Sequence, residues 1–545
     1  MTAPADLGGP VVTADVDAPS TAPPVAAGVS RRRAALALAR FEAVRMVRHP
    51  VMVAAVLLYL GPWVWQRVKP GADHYPVLHA DLVTLQMAAM LVLGGAALVV
   101  ANLAVLREHR HRTDAVSDLL VLPPAWRAGA FLLAVMAPAG LTLAVFAAQT
   151  LALAVMPGRA GTLDVFDVAI PAGIVALLGA GGVLLALLVR SPIIAPLAAI
   201  LFAAAGFVAI ASVATGTTWG RLLPILPDDL PVALPSVLVD RPSGRHLVYL
   251  VGLTAVLATL ALLRAGARVR VALPTLAAAL AVTVAAGSAQ FVGDDAVVAA
   301  RVTVNQNPAP VQTCQARGEV TYCAFDDFTA WVPAWSRVVD DVVRLAPDAA
   351  TAAGPPLAVR QWVWSDGYPT SGGVFGPEAA QARARAQRAT DTAAGTPEAV
   401  PVGTTWGDAA TAAAFAGSVA FRLVAGKAVA GDTTVCGARG ALIVWLTGQA
   451  SPHVADGLHQ LDDQSSGSLA LIDYTIDNGL FVDDRDAAVG LTLLERPSAE
   501  VTAVVAAHWV ELTAPNTPIE RVGALFDVPV GAAPDPAFAN VQCEQ

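Results

Sequence analysis

Residues 82–106 read LVTLQMAAMLVLGGAALVVANLAVL and contain no charged side chain. A helix that crosses the hydrocarbon core of a bilayer needs about 20 mainly apolar residues. The stretch meets that requirement, and its glycine and alanine residues would let neighbouring helices approach closely. It therefore predicts a membrane-spanning helix.

Similar apolar runs recur through the N-terminal half of the chain and predict seven spans in total. Only Arg190 and Ser191 separate two of these runs, which together are too long for one crossing, so we expect a tight helical hairpin there. Pro192 suits the start of its second arm, where a helix needs no N–H. Besides 82–106, the predicted spans are 51–65, 128–156, 168–189, 192–215, 247–263 and 271–291.

The composition divides the chain into two regimes. Of its 545 residues, 56% are hydrophobic and 14% are charged, with a mean hydropathy of +0.59, whereas soluble proteins carry about 25% charged residues. Polar residues become frequent only after Phe291. We predict a disordered cytoplasmic tail (1–30), a transmembrane domain (31–291) and a soluble domain (292–545). A lipid bilayer is the expected surrounding, and no nucleic-acid partner is expected.

Arginine residues predict the orientation, because short basic loops stay in the cytoplasm. With seven spans, the arginine clusters all fall on one side, while the opposite loops carry fewer arginines together with Asp73, Asp164, Asp167, Asp228, Asp229 and Asp240. We therefore expect a multi-pass inner-membrane protein with a cytoplasmic N-terminus and an extracytoplasmic C-terminal domain. The clustered residues are Arg31, Arg32, Arg33, Arg40, Arg45, Arg48, Arg107, Arg110, Arg112, Arg127, Arg190, Arg264, Arg268 and Arg270.

All four cysteines, Cys314, Cys323, Cys436 and Cys543, lie in the domain that the arginines place outside. That compartment permits disulfides. Cys314 and Cys323 flank a predicted turn, so a hairpin disulfide is expected, and Cys436 would then pair with Cys543. Four cysteines allow three connectivities, and four buried free thiols are the alternative.

The loop between the second and third predicted spans, REHRHRTDAVSDLLVLPPAWR (107–127), predicts one short helix. Thr113 or Asp114 can cap it, Val116, Leu119 and Leu120 share a face, and a proline pair ends it. Such an amphipathic helix is typical of a docking element for a soluble partner. The alternative is a helix lying on the lipid surface.

The order of these parts resembles the permease subunit of a type-2 ABC exporter. The basic lead-in RFEAVRMVRHP (40–50), two spans, a loop ending in LLVLPPAWR, two more spans, a tight return and a long outer loop carry the resemblance over 33–264. It implies that the first cytoplasmic loop holds the helix that couples to the ATPase. Here that helix would comprise Asp114, Val116, Asp118, Leu119, Leu120 and Leu122.

The same resemblance implies the partners. The chain has no G-x-x-x-x-G-K-[ST] sequence that would cradle ATP, so ATP would be bound by a separate soluble ABC ATPase subunit, and no cofactor is expected on this chain. A second permease copy or a paralogue would complete a dimer. A seventh span and the C-terminal domain depart from the six-span family core. The competing interpretation is a membrane-anchored scaffold or sensor that does not transport.

The C-terminal domain is predicted to be mainly α-helical with a small sheet, an α+β domain behind an all-α bundle. We expect an extended start at 297–304, a helix at 328–345, a strand at 357–364 and helices at 409–424, 438–446 and 498–512. Neither His-Glu-x-x-His nor G-x-S-x-G occurs, so no catalytic or metal-binding residue and no enzymatic activity are expected. His508, beside Trp509, is predicted to pack in the core.

Overall fold

The computed structural model describes residues 27–68, 75–110, 122–213, 218–226, 233–348, 350, 354–364, 377–465, 467–476, 478–532 and 543. These residues are mostly helical, with 69% of them in helices. Among the described residues, six helical segments are long and apolar enough to cross a membrane. They are Pro50–Val68, Leu78–Arg107, Pro124–Ala154, Val165–Leu188, Ser243–Arg264 and Val269–Ala289.

The N-terminal half contains ten α-helices, in the part that the structure describes. In chain order they are α1 (Ala27–Val47), α2 (Pro50–Val68), α3 (Leu78–Ala89), α4 (Gly95–Arg110), α5 (Pro124–Ala134), α6 (Met136–Ala154), α7 (Val165–Leu188), α8 (Ile194–Val213), α9 (Ser243–Arg264) and α10 (Val269–Ala289). A π-helical turn, Met90–Gly94, joins α3 to α4.

Two of these helices differ from the predicted boundaries. α1 begins at Ala27, inside the range assigned to the disordered tail. α8 corresponds to the fifth predicted span, but the apolar stretch with described side chains, Ile194–Gly206, is shorter than the other six. The six long apolar helices thus show the membrane character of the bundle.

Helix α7 lies in the centre of the bundle, against α4, α6 and α9. Gly182 allows the close approach to α4, because a Cβ atom there would lie 2.2 Å from the carbonyl oxygen of Leu98. Small residues make such close packing possible where lipid gives helices no hydrophobic reason to associate. A buried hydrogen bond from Tyr59 Oη to Gln149 Oε1 (2.7 Å) joins α2 to α6.

Large apolar side chains cover the outside of the spans, which suits a surface in contact with lipid rather than water. Leu57, Leu58, Leu201, Val271 and Val284 are all more than 60% exposed. Because the polar backbone of each span is hydrogen-bonded within its own helix, this surface can lie in hydrocarbon.

The C-terminal region combines helices with two small sheets. The four-stranded sheet has the order β1-β2-β3-β4 and the three-stranded sheet the order β5-β7-β6. Strands β1 and β2 are antiparallel, as are β6 and β7, and the other neighbours are parallel. The strands are β1 (Gln312–Arg317), β2 (Val320–Phe325), β3 (Ala358–Gln361), β4 (Val400–Val402), β5 (Asp432–Val435), β6 (Ser468–Asp473) and β7 (Asn478–Asp483).

Its helices pack around these sheets, and most of the predicted ones are present. They are α11 (Asp295–Gln306), α12 (Val332–Val343), α13 (Pro377–Ala393), α14 (Ala409–Ala425), α15 (Ala438–Gly448), α16 (Pro452–Gln464), α17 (Asp484–Leu494), α18 (Ser498–Leu512) and α19 (Ile519–Phe526). A 3-10 turn, Asp326–Trp331, precedes α12, which shortens the helix predicted at 328–345.

The prediction of an extended start to this region is wrong. Residues 297–304 are not extended but belong to α11, whose first N–H groups are capped by Asp294: its side chain accepts from Ala296 N at 2.9 Å. The β-branched residues of this segment favour a strand, and the cap and the contacts of Val304 in the core outweigh that preference.

Candidate functional site

The outer loops of the bundle and the C-terminal region share one hydrophobic core. Val77, Ala160, Leu234 and Leu238 from the loops belong to the same buried cluster as the strands and helices after Val304. These loops follow the first, third and fifth predicted spans, and Val77 and Ala160 also pair as a parallel β-bridge. We call this contact region the junction.

Trp331 is the centre of the junction. Its side chain is fully buried, and its indole Nε1 donates to the Gly158 carbonyl at 2.5 Å. Tyr75, from the loop after α2, meets the Trp331 ring edge-on at 6.1 Å between centroids and the Trp406 ring at 6.4 Å. Such edge-to-face pairs add to the stabilisation from burial.

Gly158 makes this contact possible. Its φ of +78° lies in the left-handed region, which only glycine adopts at no steric cost. A Cβ atom there would also lie 2.6 Å from the Tyr75 ring. The loop after α6 therefore depends on glycine both for its conformation and for the approach of Tyr75.

Polar contacts add a second attachment. The backbone N and the Oγ of Ser236 both donate to Asp327 Oδ2 at 2.6 Å, and Arg301 Nε donates to the Leu238 carbonyl at 2.8 Å. The C-terminal region is therefore held by side chains of α11 and of the turn before α12, and the loop before α9 is fixed against it.

A buried ionic cluster lies at the same end of the bundle. Arg241 Nε lies 2.9 Å from Asp167 Oδ1, with side chains 5% and 4% exposed. Arg241 Nη2 also donates to Gln86 Oε1 at 3.0 Å, and Gln86 Nε2 donates to the Asp167 carbonyl at 3.0 Å. The cluster joins α3, the first turn of α7 and the segment before α9, so it fixes three parts of the bundle together.

At the opposite end, Glu42 of α1 forms a two-pronged ion pair with Arg107 of α4. The two N–O distances are 2.9 and 2.8 Å, and the Glu42 side chain is 4% exposed. Paired N–H···O bonds of this kind fix orientation as well as adding energy. Arg107 stands at the base of the loop predicted to couple to an ATPase, so this base is tied to α1.

The predicted coupling residues themselves are almost all beyond the described residues. Asp114, Val116, Asp118, Leu119 and Leu120 lie in the undescribed range 111–121. Leu122 is described: it is half-buried in a bend just before α5. Pro124 occupies the first turn of α5, as expected of a proline at a helix start.

Both predicted disulfides are present. Cys314 and Cys323 are direct cross-strand partners in β1 and β2, with their Cα atoms 4.0 Å apart. Cys436 is bonded to Cys543, 107 residues further along the chain. The first bridge closes a hairpin, and the second attaches Cys543 to the turn before α15.

The histidines of the C-terminal region do not form a metal centre in the described part of the chain, where no group of three or more His, Cys, Asp or Glu side chains is placed to hold an ion. The prediction that His508 packs in the core is wrong. Its side chain is 36% exposed, and its Nδ1 lies 3.0 Å from Glu511 Oε2. The core contact is made by the adjacent Trp509.

Two buried carboxyl groups of the C-terminal region titrate unusually. Burial raises the pKa of Asp391 to about 7, although the adjacent Arg360, 2.8 Å away, acts in the opposite direction. Burial also raises the pKa of Asp486 to about 7, against the effect of the N–H of Gly437, which donates to its Oδ2. Neither group was noticed from the sequence, because nothing local marks either as buried.

The Asp486 shift predicts a pH dependence of stability. A carboxyl group whose pKa is raised in the folded state holds its proton there while the unfolded chain, with a pKa of about 4, has lost it. Its stabilising contribution is therefore full below about pH 4 and lost as the pH rises through about 7. Asp486→Asn, which keeps an acceptor for Gly437, should raise the apparent Tm of the full chain at pH 8 by at least about 3 °C. At pH 5, where only the unfolded chain has begun to ionise, the gain should be about a third as large.

The matched control is Asp484→Asn, an exposed carboxylate in the same turn of α17. It should shift the Tm equally little at both pH values. A Tm gain of Asp486→Asn that is the same at pH 5 and pH 8 would contradict the assigned shift. Thermal unfolding followed by tryptophan fluorescence in detergent micelles provides the measurement.

Comparisons of the chain with protein-family models, curated proteins and solved structures found no match.

Proposed function

We propose that the chain is the membrane-spanning permease subunit of an ABC-type transporter, which moves a substrate across the inner membrane while a separate ATPase subunit hydrolyses ATP. The observation that carries this proposal is the Glu42–Arg107 pair. It joins the basic lead-in helix to the base of the first cytoplasmic loop, so a force on the loop would act on α1 and α4 together. A connection of this kind would pass a movement of the loop on to two helices of the bundle, as the proposal needs.

The path of the chain supports seven crossings. After α8, Arg221 donates from Nη1 to the Gln290 carbonyl at 2.6 Å and pairs with Asp240 at 3.4 Å. Gln290 follows α10 and Asp240 precedes α9, so the segment after α8 lies at the end of the bundle where α9 starts. α7 starts at that end too, next to Arg241. A crossing by α8 would therefore account for the return of the chain from the end of α7 to the start of α9.

Seven crossings and the arginine distribution together support a cytoplasmic N-terminus and an extracytoplasmic C-terminal region. The two disulfides agree with that placement, because they persist in oxidising compartments. The junction would then sit on the outer mouth of the bundle, where it could receive or guide cargo. A second permease copy or a paralogue would complete the pathway.

Co-purification tests the ATPase proposal. Full-length chain, expressed with the ATPases of its own cell, is expected to retain a soluble ATPase subunit, and Leu119→Ala with Leu120→Ala should release it. Leu163→Ala, an exposed leucine in an outer loop, is the matched control and should leave the complex intact. Retention by the double variant, or no ATPase with the unaltered chain, would count against the proposal.

The shared core favours a second candidate, a scaffold or sensor that does not transport. Because the outer loops and the C-terminal region are one packed unit, a ligand bound outside would act directly on the spans. This candidate predicts the same junction but no ATPase, so the co-purification above separates the two.

A further inference from the structure

A groove opens in the bundle at the end away from the junction. It encloses about 1210 Å³ between α1, α5, α7, α9 and α10. Arg31 and Arg32 of α1, Arg268 before α10 and Trp126 of α5 stand at its mouth, and we call it the arginine-rimmed groove. It exceeds the roughly 300–1,000 Å³ of a usual small-molecule site.

The depth of the groove is apolar. Ala176, Thr254 and Thr275 line it below the rim. The threonine hydroxyls are already used, since Thr254 Oγ1 donates to the Leu250 carbonyl at 2.8 Å and Thr275 Oγ1 to the Val271 carbonyl at 2.9 Å. Each threonine therefore offers the groove no free donor, and the interior suits an alkyl chain.

The dimensions match one leaflet of a bilayer. From Arg264 back to Thr254, α9 covers about 15 Å at 1.5 Å per residue. Half of a hydrocarbon core of about 30 Å is the same length. An acyl chain that entered between the arginines would thus end near the deepest lining residues.

The arginines at the mouth of the groove indicate that its ligand carries a negative charge. Arg31, Arg32 and Arg268 are exposed, and within the described ranges none of the three forms an ion pair with an acidic residue. Guanidinium groups bind phosphate in a paired geometry. Tryptophan is typical of the boundary between headgroups and hydrocarbon, and Trp126 lines the groove together with these arginines.

We propose that the arginine-rimmed groove binds one anionic phospholipid, with its phosphate on Arg31, Arg32 and Arg268 and an acyl chain along α9 and α10. This site does not depend on an ATPase partner or on transport. A second copy of the chain could fill the apolar interior, but it would give no reason for three arginines at the mouth. An anionic phospholipid accounts for both the apolar interior and the arginines.

Native mass spectrometry of the full-length chain with added phosphatidylglycerol or phosphatidylcholine tests the proposal. The unaltered protein is expected to retain phosphatidylglycerol in preference to phosphatidylcholine. Arg31→Gln with Arg32→Gln and Arg268→Gln should reduce that preference by about tenfold or more, since each basic residue near a lipid surface contributes measurably. Ala258→Trp, which fills the groove, should reduce retention of both lipids.

The control carries the same charge change on the same segments: Arg33→Gln with Arg40→Gln and Arg270→Gln, all exposed and outside the groove. It should keep the preference. Equal losses in the two triple variants would overturn the proposal. Two other results would also overturn it. A dimer that retains no lipid and dissociates in Ala258→Trp would assign the groove to a second copy of the chain. Lipid retention that appears only after deletion of residues 1–26 would assign it to that segment.

Discussion

Arg241→Ala is expected to destabilise the bundle by about 3–5 kcal/mol, because it leaves the buried Asp167 carboxylate without a cationic partner. The loss of Arg241 also removes an N–H donor from Gln86, which is fully buried. Unfolding by SDS in mixed micelles measures the change. The effect should be large because the Asp167 side chain is only 4% exposed, so water cannot replace the lost partner.

Two further variants test whether charge pairing is the cause. Arg241→Met combined with Asp167→Asn removes both charges and should recover much of the lost stability. Arg245 is an exposed arginine in the first turn of α9, and its side chain donates to the backbone carbonyls of Ala289 and Val292. Arg245→Ala should therefore lower the stability of the bundle far less than Arg241→Ala. A loss in Arg245→Ala equal to that in Arg241→Ala would refute the assigned role of the cluster.

Trp331→Ala is expected to cost about 3–5 kcal/mol, the usual range for removing a buried aromatic side chain, and also to open the junction. The indole contacts Gly158, Tyr75 and Phe328, so its loss removes the contact between two outer loops and the core. A Leu234→Cys reporter, at a position 5% exposed in that core, should then react faster with a thiol reagent under native conditions.

Trp445→Ala is the matched control for this variant. Trp445 is equally buried but lies in α15, so its truncation should destabilise the C-terminal region without exposing the reporter in the folded state. If both variants speed labelling of Leu234→Cys equally, the junction does not depend on Trp331 in the way described.

The sequence predicted six spans that the structure contains, because a long apolar run has few other stable uses. It predicted the cysteine pairs because Cys314 and Cys323 lie close together in the chain, which left one pair for the other two. These features are local or nearly so. The order of residues along the chain was therefore enough to predict the spans and the disulfides.

The ionic cluster and the junction were not predicted, since they bring together residues far apart in the chain. Gln86 and Arg241 are 155 positions apart, and Gly158 and Trp331 are 173 apart. No local pattern distinguishes Asp167 from other acidic residues near span ends. For α11, in contrast, a signal existed: Asp294 is a good helix cap, and β-branched residues after it suggested a strand instead.

Cysteine labelling in intact cells tests the central claim, that seven crossings place the C-terminal region opposite the N-terminus. All four native cysteines are in disulfides, so single added thiols can be followed without reductant. We expect Glu319→Cys, in the exposed turn between β1 and β2, to react with a membrane-impermeant maleimide from outside. Arg270→Cys, at an exposed position in the first turn of α10, should react only after permeabilisation. Labelling of both positions from the same side would contradict the account.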